Sequence, residues 1–67
     1  MAIEVGNCVA LVHTIRILSI GEIPSDTRGT VVEVRGNLVT VLFRLEGKRE
    51  ENIDCVPGEL RVLGRNE

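Results

Sequence analysis

Two runs of β-branched and aliphatic residues flank the dipeptide Gly36-Asn37, and this arrangement constrains the fold of the 67-residue chain more than any other feature. In the second run, Val39, Val41 and Phe43 occupy alternate positions, which is the period-two pattern of a half-buried antiparallel strand. A Gly-Asn pair favours a tight two-residue turn with positive φ. The sequence therefore predicts a β-hairpin at the centre of the chain.

Turn-forming residues divide the rest of the sequence into further short segments. The segment CVALVHTIRI is interpreted as one long first strand, because most of its apolar residues share one parity. The segment LSIGEIPSDTRG is interpreted as a loop, since Pro24 cannot donate to a strand ladder. VPGEL is interpreted as a 3₁₀ turn before the last strand. The predicted strands lie at 8–17, 30–35, 38–44, 51–56 and 60–63.

The composition agrees with an all-β protein. Hydrophobic residues make up 43% of the chain and aromatic residues 1%, so the apolar content is almost all valine, isoleucine and leucine. β-Branched residues favour strands. Closure into a barrel would remove the exposed edges that so apolar a sheet would otherwise present. We therefore expect a single domain over residues 1–67 that forms a small five-stranded β-barrel.

Four segments form a pattern that runs along most of the chain: VAL at 9–11, GTVVEV at 29–34, VLF at 41–43 and LRVL at 60–63. With this pattern the sequence resembles the SH3-like barrel superfamily, and within it a family of small, uncharacterised bacterial proteins. The resemblance implies an SH3-like fold in which the first and last strands pair. It implies no catalytic residue.

Two shorter likenesses point to other functions. The Gly-Asn-Cys-Val start at 6–9 and the Gly-Thr-Val-Val segment at 29–32 are similar to ribosomal-type, KOW-type RNA-binding barrels, whose basic loops this chain lacks. The segment IDCVPGEL at 53–60 resembles the plasmid-borne dihydrofolate reductases, which are tetrameric SH3-like enzymes. Their active pore uses a Gln-Ile-Tyr segment, where this chain has Asn52-Ile53-Asp54.

The charge and the cysteine content limit the cellular location of the protein and the classes of partner that it can bind. The formal net charge is −2, and acidic and basic residues are interspersed, which argues against a nucleic-acid-binding surface. The uncharged runs are too short to cross a bilayer, and the start of the chain lacks the features of a signal peptide. Two cysteines without a secretory signal indicate a reducing compartment. We expect a cytoplasmic protein without a membrane partner.

The chain carries few residues with obvious catalytic chemistry. His13 is the only histidine, and the sequence names no partner that would make it a general base. Cys8 and Cys55 are either free thiols or a disulfide. A zinc site formed from them with His13 and Asp54 would have suitable ligand types but no familiar spacing. The sequence therefore predicts no catalytic residue, no cofactor and no metal site.

The apolar excess in TIRILSIGEIP is the strongest functional signal. A barrel of this size has too few interior positions for all the hydrophobic residues, so part of them should form an interface. We expect a non-enzymatic binding or assembly module that self-associates or docks on a protein partner through the first strand and the following loop. The predicted partner-binding residues are the apolar Ile15, Ile17, Leu18, Ile20 and Ile23 and the charged Arg16, Glu22, Asp26 and Arg28.

Two alternatives remain open from the sequence. The first is a nucleic-acid-binding barrel that uses Arg28, Arg35, Arg44 and Lys48, whose affinity would fall steeply with salt. The second is an oligomeric enzyme whose active site forms at a subunit interface, as the likeness to the reductases implies.

Overall fold

The structure is a computed structural model that describes residues 3–45, 47 and 49–65, without the side chain of Arg65. The described residues include seven strands and a short 3₁₀ helix, η1, which precedes the last strand. The strands are β1 (Asn7–Leu11), β2 (Ile15–Ile17), β3 (Gly21–Ile23), β4 (Arg28–Arg35), β5 (Leu38–Leu45), β6 (Arg49–Cys55) and β7 (Leu60–Arg65); η1 is Pro57–Glu59. The prediction of an all-β fold is confirmed.

Five of the strands form one antiparallel sheet in the order β6-β5-β4-β1-β7, and β2 pairs with β3 in a separate two-stranded sheet. The first and last strands of the chain therefore pair, with Leu11 opposite Leu60 and Val9 opposite Val62. No ladder joins β6 to β7 among the described residues, so the five-stranded sheet does not close through backbone pairing.

The predicted long first strand is wrong, because the chain turns after Leu11. The Leu11 amide donates to the carbonyl of Thr27 at 3.1 Å, and the Val12 amide donates to the carbonyl of Glu59 at 2.9 Å. These bonds hold the backbone to two other segments and end β1. The predicted loop over 18–29 is also partly wrong, since it contains β3 and the start of β4.

The central hairpin is present as predicted, with Arg35 opposite Leu38 across a two-residue turn. Gly36 has a φ of 56°, and Asn37 has no positive φ, so only the first of the two turn positions is left-handed. A glycine at the first turn position matches the right-handed twist of the flanking strands at no steric cost.

A β-bulge in β4 changes which valines face the core. The pairing shifts between Val31, opposite Val41, and Glu33, opposite Thr40, so Val32 is the extra residue. The alternation therefore resumes with Val34 opposite Val39 on the core side. A strict alternation along β4 would place Val32 and Val34 on one face, and the bulge breaks this alternation.

The core lies against the inner face of the five-stranded sheet. Phe43, the only aromatic residue, is fully buried. The buried cluster consists of Val9, Leu11, Ile23, Val31, Val39, Val41, Phe43, Ile53, Cys55 and Leu60. Because only Ile23 in this set comes from the two-stranded sheet, the core belongs almost entirely to the five-stranded one.

Gly29 makes a close approach between β4 and β5 possible. A Cβ atom at this position would lie 2.5 Å from Val41 Cγ1, 2.8 Å from the carbonyl oxygen of Leu42 and 2.9 Å from Phe43 Cδ1. The backbone oxygen cannot move aside as a side chain can, so the site requires glycine. Gly29 is thus a packing residue within a strand.

Candidate functional site

The β2–β3 hairpin presents the most exposed hydrophobic side chain among the described residues. The Ile20 amide donates to the carbonyl of Ile17 at 3.1 Å, which closes a turn with Leu18 and Ser19 at its two central positions. Leu18 is fully exposed, at 103% of its reference area. The turn geometry thus holds a leucine out into solvent.

The other isoleucines of the predicted surface point towards the core. Ile15 lies opposite Ile23, so both share the inner face of the hairpin. Ile23 is completely buried, and its assignment to an exposed partner surface is therefore corrected. Ile15, Ile17 and Ile20 are half-buried and pack against the core cluster. The period of two explains this result, because the same alternation that exposes Arg16 and Glu22 turns the isoleucines inward.

The predicted charged residues do not form one rim. Arg16 and Glu22 lie opposite each other on the outer face of the hairpin, with Nη2 and Oε2 2.7 Å apart. Asp26 has a φ of 67° in the turn before β4, and its Oδ1 lies 3.4 Å from Nη2 of Arg61. Arg28 belongs to a different surface, the outer face of the five-stranded sheet. Arg16 and Glu22 alone therefore stay with Leu18.

Further exposed apolar side chains lie near the turn of the central hairpin, on both faces of the sheet, where the sequence predicted none. Val32 is 41% exposed as the bulge residue, and Val34 and Leu38 beside the turn are 39% and 42% exposed. Val56 follows the end of β6 and is also exposed. The Val31-Val32 doublet is the sequence signal, since two adjacent β-branched residues break the alternation where a bulge forms.

The outer face of the five-stranded sheet carries a groove of about 460 Å³. The pairings place Cys8 opposite Thr30, and Thr30 opposite Leu42, so these three side chains form one row across β1, β4 and β5. Arg28 and Arg44 follow in the next outward row, on β4 and β5. The groove is lined by Cys8, Arg28, Gly29, Thr30, Leu42 and Arg44.

The arginines named in the nucleic-acid hypothesis do not lie on one surface patch in the structure. Arg28 and Arg44 line the same groove. Arg35 lies at the far end of β4, where its Nε is 3.3 Å from Oε2 of Glu33 and where Leu38 is its cross-strand neighbour. Arg35 and Arg44 are not neighbours, because they lie at opposite ends of the β4–β5 ladder. Lys48 lies outside the described residues.

A second cavity of similar volume lies between the β2–β3 region and the ends of β5 and β6. It is lined by Glu22, Pro24, Thr27, Arg44, Leu45 and Arg49. Arg44 lines both cavities, and its Nε contacts Oε2 of Glu50 at 3.1 Å. This arginine therefore separates the two concave surfaces.

His13 has a neighbour that the sequence did not indicate. Its Nε2 lies 3.5 Å from Oε2 of Glu59, and the other carboxylate oxygen of Glu59 accepts the Val56 amide at 3.2 Å. Both side chains are substantially exposed, so this contact is a solvated pair at the end of the sheet. No pattern in the sequence could reveal it, since the two residues are far apart in the chain.

The two cysteines are free and lie in different environments. Cys8 is half-buried on the outer face, whereas Cys55 is buried on the inner face opposite Val39. Burial, followed by the negative charges of Glu59 and Asp54, raises the pKa of the Cys55 thiol to about 11. Within the described part of the chain, no group of three or more His, Cys, Asp or Glu side chains could hold a metal ion.

No family model, curated protein or solved structure matches the chain. Among the described residues, no helix has the length and apolar character needed to span a bilayer.

Proposed function

We propose that this protein is a non-enzymatic assembly module, built on a small SH3-like barrel, that self-associates through the β2–β3 hairpin with Leu18 at the centre of the contact. The strand order supports the barrel, because β1 lies between β4 and β7 and the first and last strands pair. The hairpin between β1 and β4 and the 3₁₀ helix before β7 agree with the same architecture.

The exposure of Leu18 is the observation that carries this proposal. The turn from Ile17 to Ile20 fixes the backbone on both sides of Leu18, and the isoleucines beneath it pack on the core. Because the backbone is already held, burial of Leu18 by another molecule costs mainly the rotamer freedom of its side chain. Burying it completely contributes about 1.5–3 kcal/mol.

The backbone of the hairpin offers a second means of association. β2 pairs only with β3 among the described residues, so each strand keeps an outer edge without a strand partner. Such edges accept another strand through main-chain hydrogen bonds. The Arg16–Glu22 pair beside Leu18 provides opposite charges that fix the orientation of an approaching copy.

Gel filtration coupled to light scattering, over roughly a hundredfold dilution, tests the proposal with Leu18→Glu. In a two-fold symmetric dimer each contact occurs twice. Loss of both leucines therefore raises the dissociation constant by roughly a hundredfold to ten-thousandfold. Ser19→Glu is the matched control, because it adds the same charge at the neighbouring turn position and keeps Leu18.

The expected result is an oligomer for the wild type and for Ser19→Glu, and a monomer for Leu18→Glu. A wild-type monomer at every concentration contradicts self-association. An oligomer that persists in Leu18→Glu but dissociates in Leu38→Glu places the contact at the turn of the central hairpin instead, and the hairpin proposal is then wrong.

A further inference from the structure

The groove on the outer face of the sheet contains an arginine that has no acidic partner among the described residues. Among the arginines whose side chains are described, Arg16, Arg35, Arg44, Arg49 and Arg61 each lie within 4 Å of a carboxylate. Arg28 has no such partner within the part of the chain that the structure describes. An unneutralised guanidinium in a groove, in a chain of net charge −2, indicates a site where an anion from outside supplies the missing charge.

Arg44 can contribute to the same site. Its contact with Glu50 uses Nε, and a guanidinium carries five N–H donors in total. Its terminal nitrogens are not used in this contact, and Arg44 lines the groove. The register places Arg28 and Arg44 on neighbouring strands in the same outward row, since the adjoining pair is Gly29 opposite Phe43. Two planar forks side by side suit the oxygens of a phosphate or carboxylate group.

We propose that this groove binds a small organic oxyanion, with a phosphate or carboxylate group held between Arg28 and Arg44 and the remainder of the ligand on Leu42, Gly29 and Cys8. The volume of about 460 Å³ falls within the range of small-molecule sites. The observations favour a small ligand over a nucleic acid. A polynucleotide needs an extended basic surface. Arg61 lies in the same outward row as Arg28 but is paired with Asp26, and Arg35 is paired with Glu33 at the far end of β4.

Cys8 provides a reporter inside the site. It is half-buried and lines the groove, so its thiolate can displace iodide from a small alkylating reagent. Cys55 interferes little, because it is 1% exposed and its raised pKa keeps it protonated at pH 8. The rate of alkylation at Cys8 therefore measures both the charge and the occupancy of the groove.

The first experiment compares the alkylation of Cys8 by anionic iodoacetate with that by neutral iodoacetamide at low salt. The ratio of the two rates should fall about two- to fivefold in Arg28→Gln, because the attraction of the anion is lost. It should stay near the wild-type value in Arg28→Lys, which keeps the charge. Arg35→Gln is the matched control, since it removes the same charge about 20 Å away along β4. An equal ratio in Arg28→Gln and Arg35→Gln overturns the proposal.

The second experiment asks whether oxyanions occupy the groove. Inorganic phosphate and acetate are titrated separately against the iodoacetamide reaction at constant ionic strength. We expect saturable protection of Cys8 in the wild type and in Arg35→Gln, and none in Arg28→Gln; the more protective anion identifies the phosphate or carboxylate class. Protection equal to that given by chloride overturns the proposal. The proposal is also overturned if a thymidine oligonucleotide protects Cys8 at a concentration far below that of inorganic phosphate. The groove would then belong to a nucleic-acid surface.

Discussion

The β2–β3 and β4–β5 hairpins are built from the same kind of pairing and have different positions in the protein. The β4–β5 hairpin has eight-residue strands and lies between β1 and β6, so each of its strands has a partner on its outer side. The β2–β3 hairpin has three-residue strands and no further strand partner among the described residues. Phe43 is buried in the first hairpin, whereas Leu18 projects from the second.

This difference shows that the neighbours of a hairpin decide its role more than its own pairing does. A flanked hairpin buries most of one face and contributes to the stability of the fold. A hairpin with free edges buries only the apolar side chains that anchor it to the core, and its remaining surface is available for other molecules.

Truncation of the core tests this comparison with the largest expected effect. Phe43→Ala should lower the free energy of unfolding by about 3–5 kcal/mol, because it leaves a cavity in the core of a small domain. Ile17→Ala removes a half-buried side chain and should cost about 1–2 kcal/mol. Urea unfolding of the two variants measures both values. Equal losses would show that the two hairpins support the fold to the same extent.

Gly29→Ala tests the close packing behind the central hairpin. We expect a loss of about 2–3 kcal/mol, since the added Cβ meets the Leu42 carbonyl as well as two core side chains. Gly58→Ala is the control, because nothing lies within 4 Å of its Cβ position and its φ is not positive. Thermal unfolding of both variants distinguishes crowding at Gly29 from a general effect of replacing glycine. A neutral Gly29→Ala would contradict the packing described.

The Cys55 thiol tests how far water is excluded from the inner face of the five-stranded sheet. Its native pKa of about 11 lies above the usual value of 9.0, so the folded protein binds the proton more tightly than the unfolded chain does. The resulting stability is complete below pH 9 and is lost as the pH rises towards 11, by about 1–3 kcal/mol. Urea midpoints at pH 8 and pH 10.5 under reducing conditions measure this loss. Cys55→Ala should abolish this loss of stability, whereas Cys8→Ala should retain it.

The Arg16–Glu22 pair should give the smallest effect. The side chains are 75% and 59% exposed, so their attraction is strongly screened by water. Arg16→Gln should change the free energy of unfolding by about 0.5 kcal/mol or less, and 1 M salt should remove the difference. A loss above about 1 kcal/mol would show that the peripheral hairpin is more tightly coupled to the fold than its free edges indicate.

The sequence predicted the central hairpin because its signals are local. Gly36-Asn37 identifies the turn, and the alternation around Val39 and Val41 identifies the buried face. The β2–β3 hairpin escaped detection for the opposite reason: Leu18 is not a typical turn residue, Ser19 alone is a weak turn signal, and three-residue strands are too short to show a period. The sequence indicated that this segment is apolar. It did not indicate that the isoleucine side chains face inward, because that depends on where the chain turns.

The groove could not be found from sequence for a different reason. Cys8, Arg28 and Arg44 lie on three strands, and they meet only because the registers of two ladders bring them to adjacent rows. A shift of one residue in either ladder would turn one set to the core. That Arg28 has no carboxylate partner among the described residues is likewise visible only in the fold, since proximity in sequence explains some pairs, such as Arg35 with Glu33, but not others, such as Arg61 with Asp26.

The pairing of β1 with β7 also constrains how the chain reaches its native state during synthesis. β1 leaves the ribosome first among the strands, and its partner on one side lies about fifty residues later, so this ladder is among the last to form. Until then β1 presents an open edge with Val9 and Leu11 on the face that later enters the core. A nascent chain in this state can pair with other chains, and its exposure ends only when the final strand arrives.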